Sequence, residues 1–133
     1  MTPRFADAFY YLALISPDDA RHTEAAELSE SLGGSIVTTA WVLTEVADAL
    51  SAAAQRGNFL RLLRALREDS DTEVIPPSPE LFERGLDLYA QRPDKDWSLT
   101  DCVSFVVMRQ YGITEALSGD HHFEQAGFTI LLK

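Results

Sequence analysis

Apolar positions along this 133-residue chain fall in short blocks whose period switches again and again between that of a strand and that of a helix. Arg4 to Asp7 has the length and character of a brief strand. Ala8 to Ile15 is apolar nearly all round and predicts a helix buried on most sides. Ser16-Pro17-Asp18-Asp19 combines a capping serine, a proline at the first helical position and acids in the first turn. It predicts a second helix running to about Leu32, where Gly33-Gly34 stops it. Ser35 to Val37 reads as a strand, Thr39 to Gln55 as a helix broken at Gly57, and Phe59 to Glu68 as another helix. Thr72 to Ile75 is a strand closed by Pro76-Pro77. Ser78-Pro79-Glu80 opens a helix to about Gln91, and residues 92–97 form a loop. Ser98 caps a helix to about Tyr111. Thr114 to Ser118, His121 to Gln125 and Phe128 to Leu132 complete the chain as strand, short helix and strand.

Strands alternating with helices define an α/β class with a mostly parallel sheet. No repeat, low-complexity tract or linker divides the chain, and its length suits one domain, residues 1–133, around one core. A hydrophobic content of 46% and a charged content of 24% are those of an ordinary globular protein. No apolar run approaches a membrane span and the N-terminus lacks the form of a signal peptide, so a cytoplasmic location is the expectation. The single cysteine, Cys102, agrees with a reducing compartment and sits in a dense apolar run, where packing is the preferred reading over nucleophilic chemistry. The net charge of −10 argues against broad electrostatic binding of nucleic acid but leaves nucleic acid open as a substrate.

Four of the 21 acidic residues interrupt apolar stretches: Asp7, Glu45, Asp101 and Asp120. In a parallel sheet, ligands bind beyond the carboxyl ends of the strands. Asp7 ends the first strand, and Asp120 follows the fourth. Asp101 stands in the first turn of the helix capped by Ser98, where the helix dipole favours a negative charge. Glu45 shares a helix face with Trp41 and Ala49 and can look inward. One topology can therefore gather all four at one edge, and four facing acids call for a divalent cation with oxygen ligands, Mg2+ or Mn2+. Each acid also has an ordinary structural use, as a turn residue, a helix cap or an ion-pair partner.

Other chemistries find less support. No glycine-rich phosphate loop follows the first strand. Phe9 stands where an aspartyl-phosphate phosphatase wants its second acid. His121 and His122 are adjacent and cannot share one helical face, so they read as packing and hydrogen-bonding residues ahead of zinc ligands.

The chain resembles the PIN-domain ribonucleases, of the VapC-like toxin type found in toxin–antitoxin modules, over essentially its whole length. Asp96-Trp97-Ser98-Leu99-Thr100-Asp101-Cys102 resembles that family's third acidic motif. Leu117-Ser118-Gly119-Asp120 through Gly127-Phe128 is very similar to the fourth. Thr38 to Glu45 resembles the second and Arg4 to Leu14 the first. One departure stands out: the family commonly has Thr or Ser just after the first aspartate, and here Ala8 and Phe9 follow. Thr38, Thr39, Ser98, Thr100 and Ser104 are the hydroxyls nearby, though caps and core hydrogen bonds are their preferred readings.

The resemblance implies a three-layer α/β/α sandwich with a central parallel sheet of four or five strands. It implies Mg2+-dependent endonucleolytic cleavage of RNA, with Asp7, Glu45, Asp101 and Asp120 as the catalytic set and Asp7 and Asp101 holding the metal. It also implies a small antitoxin partner and a homodimer. Arg61 and Arg64 lie in a run that holds four of the eleven basic residues, and they are candidate contacts for RNA or a partner, against a plain solvated face. Aromatic and aliphatic residues of the first two helices exceed what one buried face needs, which suits a protein partner. Two further readings share the fold: a catalytically weak binding module, for which the missing hydroxyl is the hint, and a non-toxin nuclease.

Overall fold

In a computed structural model that describes residues 2–133, the strands β1 (Arg4–Ala6), β2 (Ile36–Thr39), β3 (Thr72–Ile75), β4 (Glu115–Leu117) and β5 (Thr129–Ile130) form one sheet in the order β3-β2-β1-β4-β5, with every neighbouring pair parallel. The connections are helical: α1 (Ala8–Ile15) and α2 (His22–Ser31), α3 (Ala40–Ala49) and α4 (Arg56–Glu68), α5 (Pro79–Gln91) and α6 (Leu99–Tyr111), and the short α7 (His121–Gln125). Parallel pairing requires such crossovers, because a tight turn joins only antiparallel neighbours.

The order has one consequence for function. From β1 the chain steps outward to β2 and β3, then crosses back to β4 on the other side of β1. β1 and β4 therefore flank the point where the winding reverses, and their carboxyl ends open a crevice between them. Asp7 leaves β1 there, and Ser118 to Asp120 leave β4 there.

Every side chain from Asp101 to Met108 is buried, so α6 is enclosed by the sheet and its neighbouring helices. Its amphipathic character is correspondingly weak in the sequence. Ser98 starts it with a reciprocal capping box: the serine hydroxyl accepts from Asp101 N at 3.0 Å, and Ser98 N donates to the Asp101 carboxylate at 3.2 Å. Gly112, at φ +67°, ends it in the left-handed conformation that favours glycine. An aromatic cluster ties the carboxyl-side elements together. Phe105 of α6 meets Trp97 edge-on at 5.0 Å between ring centroids and Phe123 of α7 edge-on at 5.0 Å, and Phe5 of β1 lies 6.3 Å from Phe123.

Two expectations from the sequence are corrected. The Ser16-Pro17-Asp18-Asp19 signal does not start a helix. Asp19 N donates to the Ser16 carbonyl, His22 N donates to the Asp19 carbonyl, and the Asp19 side chain accepts from Arg21 N at 2.8 Å, which makes consecutive turns before α2 begins at His22. The same residue types serve turns as well as caps, and reversing from α1 to α2 uses the turn. Similarly α3 stops at Ala49, not Gln55. Leu50 is its last buried residue, and Ser51 to Gln55 offers nothing large to bury, whereas Gly57 lies inside the first turn of α4.

α5 packs on α6 at Gly85, where an added Cβ would stand 2.5 Å from Val103 Cγ2. Val103 is fully buried and branched at Cβ, so it has no free rotamer to retreat into. Gly85→Ala is therefore expected to destabilise the fold by about 1–3 kcal/mol through overpacking. Urea unfolding checks it, and the double variant with Val103→Ala should recover part of the loss.

Candidate active site

Asp7 lies one residue beyond β1 at 3% exposure, with its backbone N–H donating to the Leu117 carbonyl of β4 at 3.2 Å. Ser118, fully buried at the end of β4, donates its hydroxyl to Asp7 Oδ2 at 2.9 Å. The same serine oxygen accepts from Asp120 N at 3.0 Å. One hydroxyl thus joins the acid after β1 to the acid after β4. This answers the departure noted in the sequence. The hydroxyl absent after Asp7 along the chain is supplied across the sheet by Ser118, which sequence reasoning did not single out. Of the hydroxyls it did name, Thr38 donates to the Ala6 carbonyl, Thr39 and Ser98 cap helices, and Ser104 bonds the Thr100 carbonyl. Pairing of β1 with β4 is what makes Ser118 a neighbour, and no local spacing reports it.

Phe9, the other departure, has a packing role. Its ring lies against Gly119 so closely that a Cβ there would fall 2.6 Å from two ring carbons. Glycine at 119 lets the turn leading to Asp120 close over the aromatic ring.

Asp101 and Asp120 both cap helices, so the structural alternative weighed for each is realised. Capping does not exhaust them. Asp101 Oδ2 accepts from Ser98 N, and Asp120 Oδ1 accepts from His122 N at 2.9 Å. The second oxygen of each accepts no hydrogen bond among the described residues. His122 Nδ1 lies 3.1 Å from Asp101 Oδ2 and 3.4 Å from Asp120 Oδ1. His122 is thus the hydrogen-bonding histidine the sequence implies, and its partners are two of the candidate acids. Ligand atoms of Asp101, Asp120 and His122 come within 4.8 Å of one another, a compact donor group for a cation. His121 is exposed, with its Nδ1 3.9 Å from Asp120 Oδ1. Glu45 stands half-buried on α3, near enough to Asp101 and Asp120 for their charges to act on it but outside the compact donor group.

The charges act on one another. Burial pushes the Asp7 carboxyl up to about 7; the Ser118 hydrogen bond opposes the shift, and the charges of Asp101 and Glu45 add to it. Burial also raises Glu45, helped by Asp101 and Asp120, and raises Asp101, with Asp120 adding and the Ser98 and His122 hydrogen bonds opposing. Among the described residues no lysine or arginine forms an ion pair with any of the four. Asp7, Glu45 and Asp101, held back from ionising by burial and by neighbouring acids, stand with Asp120, open carboxylate oxygens and one imidazole as a donor set suited to a hard divalent cation.

A parallel α/β sheet with such an acid cluster at its winding reversal fits the class of the α/β nucleases. The chain belongs to the PIN domain family, whose model matches residues 5–129. It is 30% identical over 129 residues to the 23S rRNA-specific endonuclease VapC20 of Mycobacterium tuberculosis, covering 93% of this chain and 94% of that one. The crystal structure of that protein, described as a sarcin–ricin loop cleaving toxin, superposes with a TM-score of 0.86 at 29% identity, over 94% of this chain and 95% of that one. FitAcB of Neisseria gonorrhoeae shares the fold at a TM-score of 0.64 and 13% identity, over 95% and 94% of the two chains. No helix among the described residues is long and apolar enough to cross a membrane.

The raised Asp7 carboxyl sets a direction for stability against pH. Between about 4 and about 7 the folded state holds a proton that the unfolded state releases, so stability of the metal-free protein falls as pH rises through that window. Asp7→Asn keeps an acceptor for Ser118 and removes the charge. It is expected to flatten the fall and to be the more stable protein at pH 8, by at most about 4 kcal/mol at ~1.4 kcal/mol per pKa unit. Urea unfolding in a chelator at pH 5 and pH 8 measures it. Ser118→Ala should act in the opposite direction, making the wild-type pH dependence steeper.

Proposed function

We propose that this protein is a divalent-cation-dependent endoribonuclease that acts as the toxin of a toxin–antitoxin pair, with a structured ribosomal RNA loop as its substrate class. The observation that carries this reading is the set of four carboxylates and His122 around the β1/β4 crevice without a lysine or arginine to neutralise them. The likeness to VapC20 supplies the substrate class.

Asp7, Asp101, Asp120 and His122 are the residues that would hold Mg2+ or Mn2+, with Glu45 nearby. When bound, the cation supplies positive charge for the phosphate and a more acidic water. The chain's own contribution is positional. Ser118 fixes Asp7, the Ser98 capping box fixes Asp101, and the α7 N-terminus fixes Asp120. Glu45, half-buried and raised by its neighbours, is suited to accept a proton from the attacking water. The hint for a binding module without catalysis was the hydroxyl missing after Asp7, and Ser118 removes it.

A partner surface lies at the other end of the sheet. A cavity of about 420 Å³ between α1, α2 and α4 is lined by Tyr10, Leu14, Leu28, Leu32 and Leu66, and the buried Tyr11 hydroxyl on its wall has no hydrogen-bond partner among the described residues. A largely apolar segment of a small antitoxin suits this groove, which Arg4, Asp69 and Asp71 also line. Arg61 and Arg64 are exposed on α4, without an ion pair among the described residues, and the same helix lines the cavity through Leu62, Ala65 and Leu66, which supports a contact to the partner over one to RNA. Assembly as a homodimer belongs to the same reading.

Purified protein incubated with a sarcin–ricin stem-loop RNA should cleave it in Mg2+ or Mn2+ and stop in a chelator. Asp7→Asn and Asp101→Asn should each lose on the order of 10²-fold or more in rate. Mg2+ or Mn2+ should raise the melting temperature of wild type and leave Asp101→Asn unmoved, since a ligand of the folded state stabilises by mass action. Metal-independent cleavage, or wild-type rates in both variants, would sink the assignment.

A further inference from the structure

The helical hairpin α5–α6 turns back at the same end of the molecule as the acids, and its turn encloses a concavity of about 980 Å³ lined by Leu86, Tyr89, Arg92, Lys95, Trp97 and Ser98. That volume is at the upper end of ligand sites, which run to ~1,000 Å³. None of the four acids lines it, but the N-terminus of α6 borders both. Ser98, on its wall, makes the capping box with Asp101, and Cys102, next to Asp101, closes its floor.

Its walls differ in freedom. Trp97 is fixed: it is buried, packed on Phe105, and its Nε1 donates to Gln125 Oε1 of α7 at 3.0 Å. Arg92 lies 5.1 Å from the Trp97 ring centroid and forks onto the Asp94 carboxylate at 3.0 Å through both nitrogens. Both hold the loop in shape. Tyr89, by contrast, is 54% exposed, a large aromatic ring with no stacking partner among the described residues. Lys95 has no ion pair among the described residues, in a protein whose net charge is −10. Asp96 is exposed and also unpaired, an acceptor for a base amino group.

Proteins hold unpaired nucleotides by stacking bases on aromatic rings and setting phosphates on lysine or arginine. We infer that this concavity is a nucleotide-binding subsite of the RNA, in which an unpaired base flanking the cleaved bond stacks on Tyr89 while Lys95 holds a neighbouring phosphate. The inference rests on the RNA-cleaving reading and says which surface of the protein grips the loop. An acidic protein then needs no broad basic face, because stacking carries affinity where net charge does not.

The test uses the full chain with Asp101→Asn to stop cleavage, a short fluorescein-labelled single-stranded RNA of mixed sequence, and fluorescence anisotropy at two salt concentrations. Tyr89→Leu should weaken binding about tenfold, within the range that one base–aromatic stack supplies, and Tyr89→Phe should bind as the parent does. Lys95→Gln should weaken binding severalfold and reduce the salt dependence by about one phosphate contact. In the cleaving protein, Tyr89→Leu should raise KM for the stem-loop RNA with an unchanged melting temperature. Wild-type cleavage with unaltered binding and KM in Tyr89→Leu overturns the subsite while leaving the ribonuclease reading intact. A wild type that neither binds nor cleaves RNA overturns both. If Tyr89→Leu changes only the mass of the protein by light scattering, the face joins copies of this chain and the inference fails.

Discussion

Burying the Asp7 carboxylate is the constraint around which the rest of the structure is arranged. A charge at 3% exposure with no basic partner is expensive, and burial raises its pKa accordingly. The fold offsets part of that cost with the Ser118 hydroxyl and leaves the remainder uncompensated by any ion pair among the described residues. Beside Asp7 the ligand atoms of Asp101, Asp120 and His122 already lie within 4.8 Å of one another, so on the proposed reading a cation would not have to gather them. A protein built only for stability would put an arginine there or an apolar side chain.

That arrangement depends on aromatic packing several residues away. Phe105 holds Trp97 and Phe123 edge-on, one on each side. Trp97 fixes the loop before Asp101, and Phe123 fixes α7, whose first turn carries His122. The Trp97–Gln125 hydrogen bond closes the circuit between loop and α7. Asp101, Asp120 and His122 are thus held by one packed cluster and not by three independent loops, and the turn lining the nucleotide subsite is braced by the same contacts. Both the chemistry and the grip on the substrate are referred to a single rigid body.

The two ends of the sheet are specialised. At the carboxyl ends stand the acids and the aromatic, charged turn of α5–α6. At the amino ends α1, α2 and α4 leave a cavity lined by Tyr10, Leu14, Leu28, Leu32 and Leu66, with Arg4, Asp69 and Asp71 also on it. A parallel sheet permits this separation because all its strands point the same way, so each end has one chemical character.

The class of fold and the four acids were legible in the sequence because they rest on local signals. The alternation of strand and helix periods, the Ser78-Pro79 and Ser98 helix starts and the Gly33-Gly34 stop each concern residues within a few positions of one another. The acids stood out because each interrupts an apolar stretch. Some local signals were ambiguous: Ser16-Pro17-Asp18-Asp19 fits a turn and a cap equally, and only the need to reverse α1 onto α2 selects the turn. What tertiary structure alone decided are the pairs far apart in the chain. Ser118 reaches Asp7, 111 residues earlier, because β4 pairs with β1. His122 enters the acid group because α7 is packed against α6, and Glu45 comes near Asp101 because α3 packs on α6. Sequence sets the side-chain types and their local conformation, but strand order and helix docking set which of them share a site, and those are properties of the whole chain's packing.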